Sequence, residues 1–378
     1  MIKCTVNAVH FRFRQPRLSF ICQKNITLLP LLRNYFHVMN KQPTIKEIAK
    51  QLKVAVSTVS RALSDHPSIG LRTKMRVLEV AKKMGYEPNM AAVKFKKGKA
   101  STLGVILPEL SENFFSQAIS GVEDTAANHD YTVLFGQSHD DEEREKTILS
   151  TFRKNRVDGL LVSISKNTRN IDHFLELINS GTPVVFFDRV PKNENIYSVT
   201  CDLYNGTIDI VNYLWKKGHK NIALIKGPQQ LQASNERMKG FMEGLNRKRM
   251  KTDPSLFATS DLTRDSTWKA MKEILSQKNK PTAIVTFNDY VALDAIQYIK
   301  QATALKINED IAIVSYANLP LFSYLDSPPM ASLEQFPYEQ GRQAAELLLN
   351  LINNKGEETP PQQIVIPGKL SVINEWEK

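Results

Sequence analysis

The sequence predicts an α/β protein: an N-terminal all-α helix-turn-helix domain, then two subdomains built on doubly wound parallel sheets. Three observations carry this. Between Thr44 and Pro88 apolar residues recur at helical spacing in three short segments. From Thr102 onward, short runs that are apolar on both faces alternate with amphipathic segments, in two successive sets. Charge divides at the same place: of a net +11, residues 1–38 hold +6, residues 41–100 hold +10, and residues 101–378 carry −5. A compact basic segment on an acidic body implies a polyanionic partner for that segment, most often nucleic acid.

Residues 1–42 form a leader that is expected to be poorly ordered. Its first 38 residues are basic and free of acids. Gln23, Lys24 and Asn25 break its apolar run and no A-x-A site follows, which argues against a cleaved signal. Translation is expected to start at Met39.

The helix-turn-helix domain is expected over 43–88. Thr44 and Glu47 have capping-box spacing ahead of Ile48 and Leu52, which places a helix from Thr44 to about Leu52. A tight turn through Lys53–Ala55 leads to a second helix at 56–63, within VAVSTVSRAL. That helix carries Ser57, Thr58 and Ser60 where Glu, Lys or Gln would be better helix formers, as if it must lie close against something. A third helix runs from about Leu71 to Met84, and Gly85 is placed to end it. Asn89 can cap a two-turn helix, and 89–101 reads as a short helix and linker.

The body occupies 102–378. TLGVIL, YTVLFG, GLLVSI and PVVFFD read as strands, with helices at 114–129, 141–154 and 171–180 between them. The second set has strands NIALIK, AIVTF and IAIVSY, with helices at 204–217, 232–249, 267–276 and 290–301. A helix at 338–353 and strands QQIVI and KLSVI close the chain.

The rest of the inventory narrows the class. Three cysteines, two of them in the leader, fit a reducing cytoplasm and no disulfide framework. No metal-ligand spacing, phosphate-cradling loop or nucleophile elbow is visible, so no cofactor, metal or catalytic residue is expected. No apolar run reaches membrane-spanning length.

The order of parts resembles the LacI/GalR family of bacterial transcription regulators. The resemblance runs in register through TIKEIA, STVSRAL, GYEPN, LGVILPELSENFF, RVDGLLV, PVVFFDRV, GHKNIALIKGP, ERMKGF, PTAIVTFND and SPPMASLEQ, from Thr44 to the C-terminus. It implies that STVSRAL is a recognition helix lying in the DNA major groove, which would account for its short hydroxyls. The implied DNA-contacting residues are Thr44, Val56, Ser57, Thr58, Ser60, Arg61 and Ser64, with Asn89, Phe95 and Lys96 in a hinge helix. Phe95 would wedge a minor-groove base step while neighbouring lysines hold phosphates. This chain departs from the family pattern at Lys53 and Ala55, where Gly and Ser are usual, and at Ser64 and Gly70, where Asn and Ser are usual.

The resemblance further implies a two-lobed fold like that of periplasmic sugar-binding proteins, with an effector held between the lobes. Lobe 1 is expected at about 102–200 and 332–358, and lobe 2 at about 201–331 and 359–378. Open parallel sheets bind ligands beyond the carboxyl ends of their strands. Those ends offer Asn113, Phe115, Asp188, Arg189, Asn288, Asp289, Tyr316 and Asn318, and Arg237 matches a family arginine that reaches the ligand. Carboxylates, amides and a guanidinium beside aromatic rings suit a polyhydroxylated effector, a carbohydrate above all. Ala317, where many members have Asp, leaves its kind open. The implied partners are a pseudo-palindromic double-stranded operator, a small-molecule effector and a second copy in a C2 homodimer along 114–129, with no membrane. The competing readings are a periplasmic solute-binding protein, which would lack residues 44–97, and an enzyme, which would need a nucleophile or cofactor loop.

Overall fold

The computed structural model describes residues 43–87, 100–192, 195–354 and 360–373. The chain divides into two compact units near residue 93. The hinge candidates Asn89, Phe95 and Lys96 lie outside the described residues.

In the first unit, α1 (Ile45–Leu52), α2 (Val56–Leu63) and α3 (Leu71–Met84) keep the expected spans. The Glu47 carboxylate accepts from the Thr44 backbone N–H at 2.7 Å and from its hydroxyl at 3.2 Å, closing the capping box. Lys53 ends α1 in the left-handed conformation, φ 53° and ψ 43°. A residue with a Cβ holds that geometry at a cost of about 1 kcal/mol relative to glycine. Ile48, Ala49, Val59, Ala62, Val77 and Ala81 form the buried core, so each helix contributes two residues to one small cluster.

The second unit holds two six-stranded sheets. The first contains β1 (Thr102–Leu107), β2 (Thr132–Gln137), β3 (Gly159–Val162), β4 (Val184–Phe187), β5 (Tyr197–Asp202) and, from the tail, β11 (Gln363–Pro367). The helices α4 (Asn113–Asn128), α5 (Glu142–Lys154) and α6 (Asp172–Asn179) connect its strands. The second sheet contains β6 (Ile222–Lys226), β7 (Phe257–Thr259), β8 (Ala283–Val285), β9 (Ala312–Tyr316), β10 (Ala331–Glu334) and β12 (Lys369–Val372). Its helices are α7 (Leu203–Lys216), α8 (Gln232–Arg247), α9 (Arg264–Leu275) and α10 (Asp289–Ala302), and α11 (Pro337–Asn353) returns to the first sheet.

The spatial orders are β11-β5-β4-β3-β1-β2 and β12-β10-β9-β8-β6-β7, and among the described residues only the β10–β12 pair is antiparallel. Each lobe therefore repeats one doubly wound order, with a switch point between β1 and β3 and another between β6 and β8. Buried aliphatic and aromatic residues pack both faces of each sheet.

The structure corrects the expected division of the tail. Residues 331–334 were assigned largely to lobe 1, yet β10 pairs with β9 in the second sheet. Residues 363–367 were assigned to lobe 2, yet β11 pairs with β5 in the first. The reason is reach: α11 packs on β3, β4 and β5, and the chain leaving it meets the free edge of β5 first. The chain thus crosses between lobes at 202–203, at 335–336 and at Gly368. Strands β5, β7 and β10 were not anticipated, and β2 is less buried than a two-faced strand should be, because it is a sheet edge.

Candidate functional site

Two surfaces gather the candidate residues, one in each unit. On α2, Val59 and Ala62 turn into the core while Ser57, Arg61 and Ser64 are exposed and Ser60 is half-buried. Positions 57, 60, 61 and 64 follow helical i, i+3, i+4, i+7 spacing, so they share one outer face. Val56 is exposed beside them and Thr58 is half-buried. Two candidates are engaged locally. The Ser64 hydroxyl donates to the carbonyls of Ser60 at 3.0 Å and Arg61 at 3.2 Å, so it caps the helix end. The Thr44 hydroxyl belongs to the capping box. Ala55, at the N-cap of α2, offers no side-chain cap, as the missing hydroxyl implied.

The second surface is the cleft between the lobes, at the carboxyl ends of both sheets. Its walls are Glu112, Phe114 and Phe115 at the start of α4, Asp188 and Arg189 after β4, and Arg237 with Leu231 and Ala233 around α8. Phe287, Asn288 and Tyr290 follow β8, Ala317 and Leu319 follow β9, and Gln335 follows β10. Two contacts bridge the lobes directly. The Asn113 backbone N–H donates to the Tyr290 hydroxyl at 3.4 Å, and Lys166 Nζ donates to the Asp261 carbonyl at 3.3 Å.

Arg237 stands at the centre. Its guanidinium lies 4.2 Å from the ring centroids of both Phe287 and Tyr316. Two aromatic faces on one cation supply quadrupole attraction in a desolvated place. The residue is only 6% exposed. One nitrogen, Nη2, donates to Gln335 Oε1 at 3.3 Å, while Nε and Nη1 are buried without a hydrogen-bond partner. Burial presses the Arg237 pKa down, and Tyr316 and Asp188 pull it back. The Tyr316 hydroxyl bonds Thr207 Oγ1 at 2.8 Å, which fixes the ring beneath the cation.

Asp188 takes a left-handed φ of 56° after β4 and is partly buried. Desolvation pushes its pKa up to about 6, against the pull of Arg189 and Arg237. Arg189 turns away from this neighbour. Its Nη1 donates to Asp140 Oδ1 at 2.8 Å, and Nη2 lies 3.8 Å from Glu112. It also lies 5.5 Å from the Phe115 ring centroid. Asn288 caps α10 by accepting from the Val291 N–H at 2.9 Å.

Four candidates sit differently from expectation, the first being Tyr316, which is wholly buried beneath Arg237 and does not line the cleft. Asp289 is wholly buried, and its carboxylate accepts from the hydroxyls of Ser315 and Ser332 and from the Leu319 N–H. It ties β9 and β10 to α10 and does not line the cleft, because one step into the helix rotates its side chain toward the sheet. Asn318 is drawn onto β10, donating from its backbone to Ser332 Oγ at 2.9 Å and from its amide to Glu334 at 3.0 Å. The Asn113 side chain accepts from Gln117 at 2.7 Å, leaving its backbone as the cleft-facing group. Ala317 lines the wall at φ 111°, a conformation L-residues rarely adopt, held by its N–H bond to the Leu333 carbonyl at 3.0 Å.

Sequence reasoning missed Glu112, Phe114, Phe287, Tyr290 and Gln335. The first four adjoin residues that were found, so the strand-end rule reached their neighbourhood. Gln335 follows β10, whose residues ASLE mix polar and apolar types without an apolar run to read.

Comparison with known proteins yields concordant matches to the two units. A model of bacterial regulatory proteins of the lacI family matches residues 44–89. A model of periplasmic binding proteins and the sugar-binding domain of the LacI family matches residues 100–373. The HTH-type transcriptional repressor CytR of Escherichia coli K12 is 34% identical over 307 residues, covering 81% of this chain and 89% of that protein. Catabolite control protein A of Priestia megaterium is 31% identical over 313 residues, covering 82% of this chain and 93% of that protein. Among solved structures, a transcriptional regulator CelR–cellobiose complex aligns with a TM-score of 0.65 at 26% identity, covering 88% of this chain and 99% of that one. The Lac repressor dimer bound to operator and an anti-inducer aligns with a TM-score of 0.75 at 23% identity, covering 88% and 98% of the respective chains, a likeness of fold.

Proposed function

The chain belongs to the LacI family of bacterial regulatory proteins, DNA-binding transcription regulators with an effector domain, and from that premise we propose how this member works. It acts in the cytoplasm as a homodimer, as a binding protein and not a catalyst. The α2 face reads a pseudo-palindromic operator in the major groove, and a small polyhydroxylated effector in the cleft modulates that affinity. No helix among the described residues is long and apolar enough to cross a membrane.

One observation carries the effector reading. Arg237 presents two buried, unpartnered N–H-bearing nitrogens between two rings, in a cleft that Asp188 and Asn288 also line. Buried donors without acceptors are rare and costly, and a ligand rich in oxygen acceptors satisfies them. A saccharide offers such acceptors together with hydroxyl donors for Asp188. The test is a thermal-shift screen of sugars, nucleosides and their phosphates, since a ligand that binds the native state raises its melting temperature. A screen in which every neutral polyol is silent and only anionic ligands shift the melt would replace the saccharide reading.

On the DNA side, Arg61 is the cation of the α2 face and is exposed there. Arg61→Ala is expected to weaken operator binding by about 1–3 kcal/mol, the worth of a base-edge contact. Its circular dichroism should match the parent. Undiminished operator affinity in a fluorescence-anisotropy titration would remove Arg61 from the reading face.

On the effector side, Asp188 is neutral below a pH of about 6 and ionised above it. An ionised carboxylate is the better acceptor for ligand hydroxyls, so effector affinity should rise between about pH 5 and about pH 7. Asp188→Asn should flatten that rise in calorimetric titrations; an unchanged pH profile would exclude Asp188 from ligand contact. The unliganded protein has the opposite trend. A carboxyl group whose folded pKa is raised favours the native state most below its unfolded pKa, and that contribution is lost as pH rises through about 6.

A further inference from the structure

We propose that the second lobe carries a second double-stranded DNA contact, a basic surface at the end of its sheet opposite the effector cleft. Three loops build it. Residues 217–221, 248–253 and 276–281 lead into β6, β7 and β8, so they lie at the amino ends of these strands, whereas the cleft lies at their carboxyl ends.

Side-chain bonds hold the loops together. The Asn221 amide donates to the carbonyls of Asn279 at 3.0 Å and Lys280 at 2.6 Å, and the Asn279 amide donates to Asn221 Oδ1 at 3.3 Å. Lys220 and Lys248 meet over the Trp215 ring, which sets the 248–253 loop beside the 217–221 loop.

The loops hold seven Lys or Arg and one carboxylate, Asp253, although residues 101–378 as a whole carry −5. Asp253 is occupied in accepting from Ser255, N–H at 3.0 Å and hydroxyl at 2.6 Å. Lys220, Arg249, Lys251, Lys278 and Lys280 are exposed. Such crowding of like charge on one surface is self-repelling and is relieved by a polyanion.

The composition selects DNA over an acidic protein. Protein–protein interfaces are depleted in lysine and depend on buried aromatic or aliphatic anchors. The aromatic residue here, Trp215, is sheathed: Lys220 and Lys248 place their ammonium groups 4.2 and 4.8 Å from its ring centroid. With no free apolar anchor, the surface suits a partner recognised by charge alone, the phosphate backbone.

The test is a bridging assay on the full chain. An immobilised operator duplex is loaded with sub-saturating protein, then offered a labelled duplex that lacks the operator. The parent is expected to capture the second duplex, with capture falling steeply as salt rises. The patch variant R249E/K251E/K278E/K280E should capture about tenfold less while binding immobilised operator within about twofold of the parent. A control of equal charge change, R153E/K154E/R156E/R169E, reverses exposed cations of the first lobe and should capture as the parent does. Matching melting temperatures for the three proteins exclude misfolding. The proposal is overturned if the parent captures no second duplex, or if patch and control variants fall alike. Retention of the parent by immobilised polyglutamate but not by the second duplex would assign the surface to an acidic protein instead. Operator binding is read separately, so these outcomes do not depend on the assigned recognition face.

Discussion

Arg237→Met is expected to abolish the effector response while leaving operator affinity at the level of the unliganded parent. Arg237 is 6% exposed, and its guanidinium is stacked between Phe287 and Tyr316 and uses only Nη2 within the protein. Its Nε and Nη1 are buried without a hydrogen-bond partner. Hydrogen bonds to a charged group contribute about 1.5–3 kcal/mol each, so losing two should lower effector affinity by at least about a hundredfold. Methionine fills the slot between the rings with a flexible apolar chain that favours aromatic neighbours. A buried, under-partnered cation is itself destabilising, so the unliganded variant should melt no lower than the parent. Calorimetry with the effector, together with a melt of the free protein, checks both halves. A variant that binds effector normally, or that unfolds, would show that Arg237 is a structural residue.

The second large effect lies in packing. Gly341→Val should destabilise the protein by ~3 kcal/mol or more, lowering Tm by roughly 5–10 °C. Helices α4 and α11 cross so closely that a Cβ at Gly341 would overlap the Ala118 carbonyl oxygen, and one at Gly121 the Tyr338 carbonyl oxygen. The obstacle is backbone on both sides, so no rotamer change relieves it. Separating the helices would strip cover from β3, β4 and β5, against which α11 packs. A thermal melt decides the matter, and a Gly341→Val protein with the parent's Tm would mean that the crossing is looser than described. Gly181, where an added Cβ meets nothing within 4 Å, marks the contrast: its φ of 87° demands conformational freedom, not space.

Much of this architecture was legible because it is local. The capping box of Thr44 and Glu47 and the terminating Gly85 follow from residue chemistry within a few positions, while the turn geometry at Lys53 entered through the resemblance. Long amphipathic helices and two-faced apolar strands announce themselves by period. What escaped was short or long-range. The strand YSVTCD mixes hydroxyls and a thiol with apolar residues, and FAT has three residues, so neither offers a period to read. The exchange of β10 and β11 between lobes depends on which sheet edge the chain meets first, a fact of tertiary geometry.

The site divides in the same way. Strand-end position pointed to Phe115, Asp188, Arg189 and Asn288, which lie in the cleft wall, and Arg237 entered through the resemblance. Position alone could not separate Asn288 from Asp289, of which the first caps the helix and the second, one step inside it, turns to partners on β9 and β10. Nor could spacing reveal that Arg189 pairs with Asp140, 49 residues earlier, since that contact exists only once β2 and β4 share a sheet.

The central claim is that the cleft and the DNA-reading face are energetically coupled, and reciprocity makes this measurable from the ligand's side. If the effector changes operator affinity, the operator must change effector affinity by the same factor. The direct measurement is therefore the effector Kd by calorimetry, on free protein and on protein saturated with an operator duplex. The two values are expected to differ by about 5–150-fold, a coupling of about 1–3 kcal/mol. Identical affinities, with the operator verified as bound throughout, would contradict the account and leave the cleft as a binding site without a regulatory role.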